Sequence, residues 1–571
     1  METEDLPKKR KKESSHWWEG DQEDQSSIKW MSLEHHGLFF PPLYQPHGVP
    51  LVYNGEPIYL TPEQEEIATM WASVVGTEWE TKEIFRKNFE SSFLKILGEN
   101  HKIKSLNGCD FKGISMHIES QRELKKLRPS EEKKTEREAK QKIIEEMGYA
   151  IVDNTREKIS NIIVEPPGLF RGRGQHPKGG NIKGRLAPED ITINIGKRNK
   201  VPICPLPGHS WKFITHNNTT TWLAFYEDPE LSFSSKKYVY LSAASKFKGL
   251  SDKLKYEKAK KLKEMIDEIR ADYNKKILSD SSVNKQLGSA LYLIDKLALR
   301  VGNEKTEDEA DTVGCCSLRV EHIKFEKNHQ ITLDFLGKDS MRYFNTVQIV
   351  PEVYNNLKEF CKGKEKENDL FDLITAHTLN GYLRSFMHGL SAKMFRTYNA
   401  SISLQQQLAK FKAKNQSVEE KVQFYTDANR EVAILCNHQK STPKNFEGMI
   451  EKLQEKLKEK LEDIRILEDH MKFIKTGRNS VDTERKLPCT EENTKKALAK
   501  AKTAVKNMEI KLKMKDDNKT IALQTSKINY MDPRITVAWC KKNEVPIEKV
   551  FAKTLRAKFI WAMYAETTWE F

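Results

Sequence analysis

The stretch Phe446–Leu467, FEGMIEKLQEKLKEKLEDIRIL, spaces Phe446, Ile450, Leu453, Leu457, Leu461, Ile464 and Leu467 by three or four residues, with charged residues between. A second stripe follows at Leu498, Ala501, Val505, Met508 and Leu512. Such spacing lines one helix face with apolar side chains. Between the stripes, TGRNSVDTERKLP (476–488) can reverse the chain. The pair reads as an antiparallel helical hairpin, a coiled-coil arm. The ordinary alternative is two amphipathic helices packed on a body. If the arm folds back, its ends meet, and the last segment, 520–571, returns to the rest of the chain. A residue of that segment could then complete a site built elsewhere.

Before the arm, residues from about Lys253 to Asn445 read as mainly helical. One β interruption is expected at HQITLDFLGKDSMRYFNTVQIV, with Gly337-Lys338-Asp339 as a hairpin turn. Residues 160–245 read as β-rich, because TWLAFYED and KKYVYLSAA are strand-length runs of aromatic and β-branched residues. Residues 112–148 read as two long solvent-facing helices broken near Pro129 and stopped at Gly148. In TPEQEEIATMWASVVG, Thr61 is expected to cap a helix, with Pro62 in its first turn and Gly76 at its end. Residues 1–25 read as a disordered tail carrying a basic cluster, Lys8 to Lys12.

At 571 residues the chain is too long for one core. Lysine and arginine number 96 against 82 acids, a net charge of +14. The pI near 9.0 and mean hydropathy of −0.69 suit a solvated protein with a polyanionic partner, nucleic acid first. The eight cysteines include no C-x-x-C pair and suggest a reducing compartment rather than a disulfide framework. No apolar run is long enough to span a bilayer. No G-x-x-x-x-G-K-[ST] cradle and no metal-ligand cluster stand out, so neither ATP nor a metal cofactor is expected.

In the last segment, TSKINYMDPRITVAWC (525–540) sets Tyr530 after a polar lead-in and before Pro533. A phenol of ordinary pKa near 10 is a weak nucleophile at neutral pH. Attack on a phosphodiester needs cations for the charge gathering on phosphorus oxygens, and a proton donor for the leaving alkoxide. Two arginines, a lysine, a histidine and the tyrosine form a workable set. Arg300 lies at the end of the apolar-periodic LYLIDKLALR, Lys338 in FLGKDS, Arg396 in AKMFRTYNAS and His438 in AILCNHQK. Singly, each has an ordinary explanation: a cation at a helix end, a turn lysine, an ion-paired arginine, a core histidine.

Together these blocks point further. LALRVGNEK, ADTVGCCSLRVEHI, FLGKDS, FRTYNASISLQQQL, VAILCNHQ, SKINYMDPRITVAWCKK and VEPPGLFRGRGQHPKGG closely resemble the eukaryotic type IB DNA topoisomerases, the nuclear topoisomerase I family. The resemblance runs from about Trp17 to Phe571. It implies that Tyr530 is the nucleophile that forms a 3′-phosphotyrosine, and that Arg300, Arg396 and His438 hold the scissile phosphate. It implies that Lys338 protonates the leaving 5′-oxygen. It places Arg171, Arg173, His176, Asn303, Asp339, Lys393 and Asn529 at the DNA. Arg173, Asp339 and Asn529 match positions around the cleavage point, where camptothecin-type inhibitors wedge between base pairs.

The implied fold is an α+β multidomain DNA clamp. It has a short tail (1–25), a β-rich lobe (26–42 and 129–243), a cap lobe (43–128) and a helical catalytic domain (244–440). The coiled-coil linker arm (441–519) and a small helical C-terminal domain (520–571) follow. The implied protein is a nuclear monomer clamped on double-stranded DNA, relaxing supercoils of both signs without ATP or metal. Only about two dozen residues precede the family-like start, where nuclear members usually carry a long charged extension. Two other readings remain at this point: a tyrosine recombinase, and a non-catalytic DNA-binding or chromatin scaffold.

Overall fold

A computed structural model describes residues 28–228, 236–306, 308–443, 445–476 and 487–571. The basic cluster Lys8 to Lys12 and most of the chain reversal at 476–488 lie outside the described residues. The architecture is mixed α and β, with small sheets and many helices. It divides into two compact units, Met1–Asp252 with Lys305–Thr312, and Lys253–Glu304 with Val313–Phe571.

The first unit holds two apolar cores. One is covered by a four-stranded sheet in the order Phe213–Thr215, Ile191–Asn194, Trp222–Tyr226, Lys237–Tyr240. Only its first pair is parallel. Ile191, Ile193, Leu223 and Ala224 of this sheet bury against Leu33 and Ala150 of a three-stranded sheet. The second core is aromatic. Trp71 of helix Pro62–Ala72 stacks at 4.4 Å on Phe89 of helix Glu83–Leu97. Phe85, Phe89 and Phe93 recur every four residues on that helix and are all buried. Thr61 caps the first helix in a reciprocal box with Gln64. That helix ends at Ala72, not at Gly76. Val74, fully buried, draws the chain into the core and turns follow. Helices Lys112–Leu127 and Ser130–Met147 flank Pro129 and bury one residue between them, Ile114.

The second unit is mainly helical. Helix Ser282–Leu297 is largely buried, and helices Pro351–Phe360, Ala376–Phe386, Ala392–Ala409 and Val418–Leu435 follow it in sequence. The expected hairpin joins Gln330–Gly337 to Met341–Gln348, with Gly337 opposite Met341. A short strand expected by no pattern, Ile323–Phe325, adds a third member to that sheet.

Helices Phe446–Thr476 and Glu491–Asp517 run antiparallel: Lys475 pairs with Glu491, Lys502 with Glu468, and Lys515 Nζ meets Met449 Sδ. Their apolar stripes are half-buried, apart from exposed Leu461 and buried Val505. The polar lead-in to Tyr530 proves to be helical, Leu523–Asn529, and Pro533–Lys542 forms the next helix. Among the described residues no helix is long and apolar enough to cross a membrane.

Candidate active site

Helix Ser282–Leu297 is stopped by Ala298, which adopts left-handed dihedrals (φ 49°, ψ 35°). Arg300 therefore lies three residues past the last helical residue, outside any helix or strand, and not in the last turn where the sequence pattern puts it. Its backbone is pinned: Arg300 C=O accepts from Cys315 N–H at 2.8 Å and Val301 C=O from Cys316 N–H at 2.6 Å. Gly302 (φ 78°) makes this possible. A Cβ there would lie 2.7 Å from Gly314 Cα and 2.6 Å from Ser317 Oγ. Two glycines thus let two backbones touch.

Arg396 sits on helix Ala392–Ala409 and is 4 % exposed. Its Nη1 donates to Ala298 C=O and its Nη2 to Cys436 C=O at 2.8 Å. Nη2 also lies 3.5 Å from His438 Nε2, while Nε has no partner. His438 follows the end of helix Val418–Leu435, where Asn437 turns the chain with φ 51°. Its backbone is tied at both groups, N–H to Ala433 C=O and C=O to Ala522 N–H, each 2.8 Å. Its Nδ1 meets Ser526 Oγ at 2.7 Å.

Tyr530 occupies the junction between its two helices. Its N–H donates to Ser526 C=O at 3.0 Å, and its C=O accepts from Ser401 Oγ at 3.3 Å. Ser401 Oγ in turn accepts from Asp532 N–H at 3.0 Å. Pro533 holds Asp532 extended (ψ 119°), and Asp532 then caps the next helix and binds Arg534. Lys255 Nζ donates to Asn529 C=O at 3.1 Å. Tyr530 is buried, 5 % exposed. His438 stacks on it at 5.2 Å between centroids, and the Arg396 guanidinium lies 4.9 Å above it. The phenol oxygen accepts from Arg300 Nη1 at 3.0 Å.

Lys338 projects from the hairpin turn, where Asp339 and Ser340 both have positive φ. It is exposed and makes no hydrogen bond or ion pair among the described residues. It lines one cleft with Arg300, Asp339, Arg396, His438 and Thr525. The structure therefore brings four of the five chemistry-bearing candidates to one cleft, with Tyr530 directly beneath. Asn303, Lys393 and Asn529 are exposed on the same unit, Asn529 immediately before Tyr530 in the chain. Arg171, Arg173 and His176 belong to the first unit, in the loop Phe170–Gly180. Two of its glycines serve internal packing: a Cβ on Gly172 would meet His176 Cβ at 2.3 Å, and one on Gly180 would meet Phe85 O at 2.0 Å.

Neither Arg300 nor Arg396 is ion-paired with a carboxylate among the described residues. Burial would raise the Tyr530 phenol pKa, but Arg396 and Arg300 outweigh it and hold it below 10. Burial, with Arg396 and Arg300 alongside, lowers the His438 ring to about 3, so it is neutral at physiological pH. The set therefore offers a phenol eased toward its anion, two fixed cations, a neutral imidazole and a free ammonium. These are the parts that attack on a phosphodiester needs. Among the described residues no group of three or more His, Cys, Asp or Glu side chains is arranged to hold a metal ion.

Sequence reasoning missed Ser401, Ser526 and Gly314 as parts of this site. All three stand inside blocks singled out above, but their partners lie far away in sequence.

Three family models match the chain in order: the eukaryotic DNA topoisomerase I DNA binding fragment over 28–241, its catalytic core over 244–471, and a C-terminal topoisomerase domain over 502–571. DNA topoisomerase 1 beta of Arabidopsis thaliana is 49% identical over 546 residues, covering 95% of this chain and 59% of that protein. DNA topoisomerase 1 of Caenorhabditis elegans is 46% identical over 564 residues, 96% of this chain and 68% of that one. DNA topoisomerase 1 of Homo sapiens is 45% identical over 555 residues, 95% and 72% respectively. The chain thus spans about three fifths of the length of the Arabidopsis relative.

Proposed function

Because the chain belongs to the eukaryotic DNA topoisomerase I family, we propose that it is a type IB DNA topoisomerase, relaxing positive and negative supercoils by transient cleavage of one strand. Tyr530 attacks a DNA phosphate, forming a bond from its phenol oxygen to phosphorus and releasing the 5′-oxygen. Lys338 gives that oxygen a proton. Arg300 and Arg396 neutralise charge on the non-bridging oxygens, and His438 offers them a hydrogen bond. The 3′-phosphotyrosine conserves the energy of the broken bond, so the 5′-hydroxyl can attack back without ATP. Between the two steps, torsion turns the free strand about the intact one.

The observation that carries this reading is the Arg300 guanidinium at the tyrosine hydroxyl and the Arg396 guanidinium over its ring, neither paired with a carboxylate among the described residues. A buried cation left uncompensated is costly, and an arriving phosphate removes that cost. The lobes and arm expected from the sequence suit a clamp. Residues 43–128 would close on DNA against 26–42, 129–243 and 244–440, and the arm 441–519 would carry 520–571 back to the body. Arg171, Arg173, His176, Asn303, Asp339, Lys393 and Asn529 are proposed DNA contacts. The protein is proposed to act as a nuclear monomer, with camptothecin-type inhibitors at the cleaved site. Affinity for DNA is expected to be phosphate-directed and to fall with salt.

Plasmid relaxation in EDTA without ATP, comparing the parent with Tyr530→Phe, tests the proposal. Relaxation of both supercoil signs, with a detergent-trapped adduct on the 3′ end of nicked DNA that is lost in Tyr530→Phe, is the expected result. Binding without nicking by the parent would favour the scaffold reading instead.

A further inference from the structure

Ser526 is fully buried, and its Oγ lies 2.7 Å from His438 Nδ1. At the other ring nitrogen, Arg396 Nη2 approaches Nε2 at 3.5 Å. A guanidinium only donates hydrogen bonds. With Arg396 as its partner, Nε2 therefore carries the lone pair. Nδ1 carries the proton and donates it to Ser526 Oγ, because the ring is neutral. A phosphodiester oxygen in the cleft reverses the demand at Nε2, since it accepts and does not donate. A neutral ring meets that demand only as the Nε2–H tautomer, which leaves Nδ1 in need of a donor. A backbone carbonyl in place of Ser526 could serve the first tautomer alone. A hydroxyl serves both by rotating.

We propose that Ser526 is a positioning residue whose hydroxyl, turning from acceptor to donor, lets a neutral His438 present a lone pair to Arg396 in the free protein and a proton to a phosphodiester oxygen in the complex. The exchange balances through water: one proton is taken up at Nε2, one is released from Nδ1, and the ring charge is unchanged. The same residue ties the histidine to the tyrosine. Its carbonyl accepts both Tyr530 N–H and Met531 N–H at 3.0 Å. The stacked His438 and Tyr530 rings thus share one anchor. The inference rests on the phosphodiester reading of the cleft.

The test uses the full chain with Ser526→Ala and Ser526→Thr. Single-turnover adduct formation is expected to fall about tenfold in Ser526→Ala at unchanged DNA affinity, the loss of one buried hydrogen bond. Ser526→Thr, which keeps the hydroxyl, is expected to stay within about twofold of the parent. Imidazole nitrogen shifts of histidine-labelled protein, with His438 assigned by its loss in His438→Gln, read the tautomer directly. The lone pair is expected at Nε2 in free protein and at Nδ1 in a duplex complex of Tyr530→Phe. One tautomer in both states, parental cleavage by Ser526→Ala, or equal losses in the alanine and threonine variants would each overturn the proposal. If the parent binds duplex but never forms an adduct, the topoisomerase reading fails, while the nitrogen shifts still report on Ser526 and His438.

Discussion

Lowering the pH from about 7.5 to about 5 is expected to cost the second unit about 2 kcal/mol through His438 alone. The ring is buried against Tyr530 and beside two guanidiniums, which brings it from its ordinary 6.5 to about 3. A folded-state value below the unfolded one means that the unfolded chain binds the proton more tightly. The stability at stake is fully present above 6.5 and is lost as the pH falls toward 3. At about pH 5 the unfolded ring is about 1.5 units below its pKa while the folded ring remains neutral, and each unit corresponds to about 1.4 kcal/mol. Urea unfolding of the parent and of His438→Gln at both pH values isolates this contribution. Buried histidines elsewhere, such as His35, titrate alike in both chains and cancel on subtraction. The parent should lose about 2 kcal/mol more than the glutamine variant between the two conditions. Equal losses would refute the argument, because His438 would then gain a proton as easily folded as unfolded.

Three further outcomes follow from the same geometry. Arg300→Gln removes a cation and weakens the 3.0 Å hydrogen bond at the phenol oxygen, so the pKa of Tyr530 should rise toward 10. The pH dependence of single-turnover adduct formation should shift to higher pH with it, and an unmoved profile would contradict the role given to Arg300. Gly302→Ala forces a Cβ to within 2.7 Å of Gly314 Cα at φ 78°, a loss of about 2–4 kcal/mol, read as a lowered unfolding midpoint. Lys338→Ala should bind duplex normally but form the adduct about 100-fold more slowly, the scale of a lost general acid. A substrate with sulfur in place of the leaving oxygen should restore most of that rate, since a thiolate leaves without a proton.

Local signals were legible in the sequence and distant ones were not. The Thr61 cap, the break at Pro129 and the turn at Lys338 depend on neighbours within a few residues, and each stands where the sequence pattern puts it. Gly76 misled because the helix before it ends where buried Val74 meets the core, and propensity yields to packing there. Ser526–Asn529 looked like a polar lead-in because its pattern lacks an apolar face. Yet Ser526 and Lys527 are buried polar residues, satisfied by His438, 88 residues earlier, and by Val550 C=O. Arg300 appeared helical because nothing marks Ala298 as a left-handed stop. What fixes that stop is Arg396, 98 residues later, which donates to the Ala298 carbonyl. The chemistry-bearing side chains themselves were recognisable as a set, but their arrangement depends on these long-range partners.

The way Arg396 is held explains why the cleft remains available to an anion. Ala298 is the C-cap of helix Ser282–Leu297, and Cys436 is the C-cap of helix Val418–Leu435. The two carbonyls that Arg396 binds are therefore both helix C-termini, where backbone dipoles leave about half a negative charge each. A carboxylate in either place would neutralise the guanidinium and form a closed ion pair, as Asp295 does with Arg270 in the same unit. Carbonyls fix the fork and offset part of its burial, but they leave the formal charge uncancelled. Nε of Arg396 stays unpartnered, and Arg300 adds a second cation whose guanidinium has the phenol oxygen as its only hydrogen-bond partner among the described residues. The protein thereby orients two positive groups in advance and leaves the compensating negative charge to come from outside. The same uncancelled charge lowers the pKa of Tyr530 and adds to the burial that keeps His438 neutral. An acid introduced beside Arg396 would reverse all three effects together, raising the phenol, easing protonation of the histidine and closing the cleft to phosphate.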